Sequence, residues 1–335
     1  VYVSFDDGEH WQSLRLNMPA TSIRDLVIKD DDLVLGTHGR GFWILDDISP
    51  LRQLTTKTLD AKTVLYKPQQ AIRVRWNMNT DTPIPQEEPG GENPPDGAMI
   101  NYHLSQSAND VSLEIFDAAG KSMRKYSSKD KPYAIPDVNI HLYCIRPQQI
   151  LSAAAGAHRF LWDMHYTPID EPAEFPMTAI YQNTPKVANS PWVMPGVYTV
   201  KLTVDGKTET QTLTVKLDPR VKASATDLQQ QHALSLACYE GRLASRKLGE
   251  NIAAARASIK TKTTAANKDS LNAIDQELAT MEGSGRASRR GGGAQASPTT
   301  TSVESGFAGL FGVFHETEMT PTTQTAAAVK QVQEQ

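Results

Sequence analysis

The sequence predicts a mainly β fold with an α-helical tail, and three observations carry that prediction. Short apolar runs punctuated by turn residues open the chain, and longer runs with clean apolar alternation fill its middle. After Asp218-Pro219-Arg220 the apolar spacing changes to three and four. A chain of 335 residues also exceeds the roughly 250–300 at which a single core stops growing, so several units are expected. The boundaries we read are 1–55, 56–220 and 221–335.

The first unit holds Val1-Tyr2-Val3, Ile23 to Ile28, Leu33 to Thr37 and Phe42 to Leu45. Asp-Gly, Asn-Met-Pro, Asp-Asp-Asp and Gly-Arg-Gly separate these runs, which makes them a series of antiparallel strands. In the second unit Ala98, Ile100, Tyr102 and Leu104 alternate, as do Val111, Leu113 and Ile115 before the turn Asp117-Ala118-Ala119-Gly120. Phe160, Trp162 and Met164 repeat the pattern. Tyr198, Val200, Leu202 and Val204 then turn at Asp205-Gly206 into Leu213, Val215 and Leu217. Asp-Gly between two alternating runs is a hairpin signal, because a type I′ turn needs positive φ at both central residues. The pattern is that of a β-sandwich of immunoglobulin or fibronectin type. Thr82 to Pro95 reads as a Pro-rich loop and Ile169 to Pro191 as a long excursion between strands.

In the third unit Ser224 or Thr226 can cap a helix that carries Leu228, Leu236, Tyr239, Leu243 and Ile252 as far as about Lys260. Leu271, Ile274, Leu278 and Met281 form the stripe of a second helix. A flexible Gly, Ser and Arg linker is expected at about 283–301, its Arg286, Arg289 and Arg290 simply solvated. Phe307, Leu310, Phe311 and Phe314 share a face of a third helix. Thr320-Pro321-Thr322 starts a fourth that ends in Val329 and Val332, which completes a small bundle.

Composition removes several function classes. Lys and Arg number 34 against 38 Asp and Glu, a net charge of −4, so the chain has no electrostatic footprint for nucleic acid. No apolar run reaches the roughly 20 residues of a bilayer-spanning helix. The two cysteines, Cys144 and Cys238, fall in different units and are expected unpaired, with no zinc site, no other metal and no cofactor. Val1 stands inside a strand with no initiator Met or signal-peptide pattern, from which we expect the true N-terminus to lie upstream.

The most specific motif is Ser4-Phe5-Asp6-Asp7-Gly8-Glu9-His10-Trp11, which fits Ser-x-Asp-x-Gly-x-x-Trp at every fixed position. Turn chemistry explains it. The Asp6 carboxylate accepts backbone N–H groups, Gly8 supplies an angle other residues resist, and Trp11 is expected to bury against a neighbouring strand. The motif resembles the Asp-box, or BNR repeat, of sialidase-like and sortilin-like β-propellers. That resemblance implies that Val1 to Leu16 is the outer half of one blade and Ile23 to Leu54 a whole further, four-stranded blade. Leu45-Asp46-Asp47-Ile48-Ser49-Pro50-Leu51, without the Gly and the Trp, would be its degenerate Asp-box.

In such propellers ligands bind the end opposite the Asp-boxes, which makes Thr37-His38-Gly39-Arg40-Gly41 the candidate ligand-facing loop. His38 can shuttle a proton and Arg40 can fork onto a carboxylate or a hydroxyl pair. The acidic pairs Asp6-Asp7, Asp46-Asp47 and Glu87-Glu88 sit in turns, where solvation is the expected state, and the catalytic residues of a glycosidase are not identified among them.

Gly156-Ala157-His158-Arg159-Phe160-Leu161-Trp162-Asp163 and Pro195-Gly196-Val197-Tyr198-Thr199-Val200 resemble the Ig-like domain that follows the propeller in large bacterial BNR-repeat, glycosyl-hydrolase-like proteins. Gly90, Glu92 and Asn93-Pro94-Pro95-Asp96-Gly97, with Leu217-Asp218-Pro219-Arg220, fit the start and end of that domain. Trp162 and Tyr198 lie on alternating apolar faces and are expected in the core rather than stacked on sugar. The resemblance implies the C-terminal part of a secreted or periplasmic bacterial protein that acts on or binds polysaccharide. The alternative is a non-enzymatic, sortilin-like propeller that captures a peptide or protein ligand.

Overall fold

The computed structural model describes residues 1–75, 91, 93–138, 140–176, 180–264, 267–283 and 297–335. The fold is mixed, with β-sheets in the first two units and a C-terminal helical region. Glu87, Glu88 and the three linker arginines lie outside the described residues.

The first 55 residues form two small sheets. β1 (Tyr2–Val3) pairs antiparallel with β2 (Gln12–Ser13). β3 (Ile23–Lys29), β4 (Asp32–Thr37) and β5 (Phe42–Leu45) make a three-stranded meander. Met18, Leu33 and Leu35 form a minimal core between them, edged by Val1, Leu14, Trp43 and Ile48. The expected fourth strand of the second blade is not formed. α1 (Ser49–Arg52) stands there instead, because Pro50 cannot donate to a strand ladder and presets φ for the first turn of a helix. α2 (Thr56–Asp60), capped by Thr55, leads onward.

The central unit packs two sheets over one core. One contains β6 (Thr63–Leu65), β8 (Ala98–Leu104) and β11 (Gly156–Trp162), in the order β11-β8-β6. The other orders β10 (Ser122–Ser127), β9 (Val111–Phe116), β12 (Gly196–Val204), β13 (Lys207–Leu217) and β7 (Ala71–Arg73) as β10-β9-β12-β13-β7. Ile100, Tyr102, Phe160 and Trp162 from the first sheet meet Leu113, Ile115, Leu202 and Leu213 from the second. Strand alternation places these side chains on one face, and that face is where the water is excluded. Asp205 and Gly206 both take positive φ, 45° and 82°, as a type I′ turn demands. The β7–β13 pair is parallel.

In the tail, Ser224 caps α3 (Ala225–Lys262) through a reciprocal box with Asp227. α4 (Lys268–Glu282), α5 (Thr300–Glu316) and α6 (Thr323–Gln333) follow. Phe307, Phe311 and Phe314 of α5 pack with Cys238 of α3 and Val329 of α6. The α3–α5 crossing is close: a Cβ on Gly241 would sit 2.4 Å from the Phe307 ring. Cys144 and Cys238 are both free and buried. Among the described residues no helix is long and apolar enough to cross a membrane.

Candidate functional site

The Asp-box segment folds into the turn its chemistry predicts. Ser4 Oγ donates to Asp6 Oδ1 at 2.8 Å and accepts from Gly8 N at 2.8 Å, and His10 N donates to Asp6 Oδ1 at 2.9 Å. His10 Nδ1 lies 2.6 Å from Asp6 Oδ2. The backbone bond from His10, its ring and Ser4 together hold the Asp6 carboxyl below its usual range. Asp7 and Gly8 take positive φ, 56° and 95°, and the Trp11 indole lies over Gly8 while Nε1 donates to Gly8 O at 3.0 Å. Trp11 does not bury. It is 62% exposed, because the two-stranded β1–β2 sheet offers its indole only the glycine turn to lie on. Asp6, Glu9 and His10 bring ligand atoms within 4.8 Å of one another, all exposed. Both Asp6 oxygens already accept within the turn, so the cluster is the turn's own network.

The loop between β4 and β5 is held through its backbone and leaves its side chains free. His38 N donates to Ser22 O at 2.9 Å, Thr37 Oγ1 to Gly41 O at 2.6 Å and Trp43 Nε1 to Arg40 O at 3.0 Å. Gly39 and Gly41 take φ of 77° and 66°, so the turn itself needs them. His38 and Arg40 are exposed, and neither side chain forms a hydrogen bond or ion pair with the described residues. In an antiparallel meander this loop and the β3–β4 turn occupy opposite ends. At the β3–β4 turn end, Asp32 holds Asp47 N and Asp47 contacts Asn101 of the central unit.

That contact overturns the solvated reading of Asp46-Asp47. Asp47 is only 2% exposed. Its backbone N donates to Asp32 Oδ1 at 2.9 Å, and its Oδ2 accepts from Asn101 Nδ2 of β8 at 2.7 Å. Arg159 of β11 donates to Asn101 Oδ1 at 3.0 Å and to the Asp46 carbonyl at 2.7 Å. Burial first, then the neighbouring Asp32, raises the Asp46 carboxyl. These residues form a polar hinge pin between the first two units, not an acid pair open to substrate. Trp162 and Tyr198 are core, meeting edge to face with ring centroids 5.5 Å apart.

Sequence reasoning missed a second cluster, at the seam between the central sheets and the tail. Arg73 at the end of β7 and Arg75 just beyond it share the buried Glu318 carboxylate of the α5–α6 loop. Arg73 also donates to Val193 O. Trp192 lies tilted against His165 with centroids 3.8 Å apart, and His315 of α5 completes the group at 5.2 Å from His165. His165 Nδ1 is 2.7 Å from Asp163 O, and His232 Nε2 is 3.2 Å from the Tyr166 hydroxyl. Burial pushes His165 down to about 3, His315 to about 2 and His232 to about 4, so all three are neutral near pH 7. Burial also lowers Arg75, to about 10, which leaves it charged. Beside the seam, Arg242 pairs with Glu171 at 2.8 Å and Glu304 at 2.9 Å. The only sequence signal was the alternation of Arg73 and Arg75 with Ile72 and Val74, since Glu318 lies 245 positions from Arg73.

No protein-family model matches the chain, and no curated protein matches it. A solved structure, that of CopC from Methylosinus trichosporium OB3b, is similar over 38% of this chain and 81% of that chain, at 12% identity and a TM-score of 0.18. A likeness at that TM-score carries no argument about this chain.

Proposed function

We propose that the chain is the C-terminal part of a secreted or periplasmic BNR-repeat, glycosyl-hydrolase-like protein that acts on or binds polysaccharide. On this reading β1–β5 are propeller blades, the central unit is an Ig-like module and the helices are an accessory tail. The observation that carries the reading is the Asp-box turn, whose Ser4, Asp6, Gly8 and His10 bonds all form. The open apolar sheet beside it lends support. Phe42 and Ile44 are 81% and 57% exposed, more than a lone small sheet tolerates without a neighbour. The unpaired Arg40 and His38 are the side chains offered to a ligand, one to fork onto adjacent hydroxyls and the other to exchange a proton. The peptide-capturing alternative draws on the same loop, because a free guanidinium equally suits a terminal carboxylate.

The test uses the longer protein to which, on this reading, the chain belongs. Insoluble polysaccharides and a random peptide array are offered to it, and the Arg40→Ala variant is compared on whichever it binds. Polysaccharide retention that falls about tenfold in the variant supports the proposal. Retention of peptides alone transfers the assignment to capture, and glycan binding indifferent to Arg40→Ala removes the loop from it.

A further inference from the structure

The five-stranded sheet has a strand that outruns its neighbour. β13 spans Lys207–Leu217, yet β7 pairs only with Val215, Lys216 and Leu217. The Asp205-Gly206 turn fixes which backbone groups are left over. In a two-residue hairpin the closing residues, here Val204 and Lys207, bond to each other, so Lys207, Glu209, Gln211 and Leu213 direct their N–H and C=O groups at β12. Thr208, Thr210 and Thr212 direct theirs outward. On that side none of the three has a backbone partner among the described residues. The chain that would prolong β7 beside them is held elsewhere: the Gln53 side chain accepts from Lys67 N at 2.8 Å and donates to Lys67 O at 3.0 Å, and Pro68 has no N–H to offer.

Between that segment and β13 lies a cleft of about 540 Å³, lined by Lys67, Pro68, Gln70, Gln211, Thr212 and Thr214. Outward N–H and C=O groups that recur about every 7 Å along a strand are matched by another extended backbone, which repeats its own groups at the same spacing. Charge narrows the choice of partner. Lys67 is exposed and forms no ion pair with the described residues, and Glu209 is the one acid of β13 against Lys207 and Lys216. We infer that the 207–212 edge of β13 takes up an extended peptide segment of a partner protein as an added strand, with an acidic residue of that segment against Lys67. A second copy of this chain fits less well. Pairing two such edges in the register that matches all three threonines sets Glu209 diagonal to its own mate, within reach of like-charge repulsion. The inference does not rest on the proposed function, since it concerns the central unit and not the β4–β5 loop.

The experiment follows amide hydrogen exchange of the whole chain by nuclear magnetic resonance. The probe is a blocked heptapeptide of alternating valine and threonine with a glutamate at each end, and its control is the same peptide with every backbone N–H methylated. Saturating probe is expected to slow exchange at Thr208, Thr210 and Thr212 about tenfold or more, and the methylated control to leave it unchanged. Gln211 and Leu213 already bond to β12 and serve as internal references. Thr210→Pro removes an outward N–H without touching the β12 ladder, and is expected to weaken peptide affinity about tenfold. Should that variant fail to fold, Lys67→Glu lies outside the sheet and is expected to weaken it about threefold or more. Unchanged exchange at the three threonines, equal binding of the methylated peptide, or an affinity indifferent to the folded variants overturns the inference. Protection of the same amides in the protein alone, growing with its concentration, gives the edge to a second copy and overturns it as well.

Discussion

The central sheets and the N-terminal meander are both built of apolar strands, and they are buried to very different depths. In β8, β9 and β12 the inward residues Ile100, Leu113 and Leu202 are wholly removed from water. In β3 and β5, Leu26, Val27, Ile28, Phe42 and Ile44 stay exposed although their strands pair equally well. Apolar strand runs therefore specify a strand, and burial is specified only by what faces it. The five-stranded sheet faces the three-stranded one, whereas the meander faces a single two-stranded hairpin.

The largest way to break the contrast is Trp162→Ala. It empties the centre of the two-sheet core and is expected to cost about 3–5 kcal/mol, read by urea unfolding under near-ultraviolet circular dichroism. A loss below about 1 kcal/mol would mean the two units are packed alike. A middle-sized effect is expected from acid at the seam. Burial first, then the nearby Arg73, Arg75, Arg124 and Lys121 charges, holds His165, His315 and His232 neutral in the folded protein, and the Asp163 carboxylate opposes this at His315. The unfolded chain takes up those protons near pH 6.5, so their contribution is whole above that value and is lost as pH falls towards about 4 and then 3. Denaturation series at pH 7.5, 5.5 and 4.5 check this, and His315→Phe is expected to flatten the slope. The smallest effect belongs to the meander: Phe42→Ser is expected to change stability by less than about 0.5 kcal/mol in this chain. A larger loss would show that something covers that face in solution.

What was legible follows from the range of each interaction. The runs at Ala98 to Leu104 and Tyr198 to Leu217, the Asp205-Gly206 turn and the Ser224 cap are local patterns, and they fold where the residues put them. β10 was not legible, since a register shift between Ser122 and Arg124 breaks the alternation of its two core contacts, Met123 and Tyr126. Asp47 was misread because its partner Asn101 is 54 positions away, and a carboxylate in a turn carries no sign that a distant amide will close over it. Trp11 was misjudged for the opposite reason: its motif implies a covering strand that none of the described residues supplies. The loop of His38 and Arg40 could be found from its glycines, but the seam could not, because it joins residues from β7, the segment around Trp192 and two helices.

The parallel pairing of β7 with β13 has a consequence for the order of assembly. Ala71 is translated long before Val215, yet has no ladder partner until Val215 emerges from the ribosome, and Arg73 must wait longer still for Glu318. The strand made earliest in that sheet is thus the last to dock, and during synthesis it is the segment most available to a chaperone or a protease.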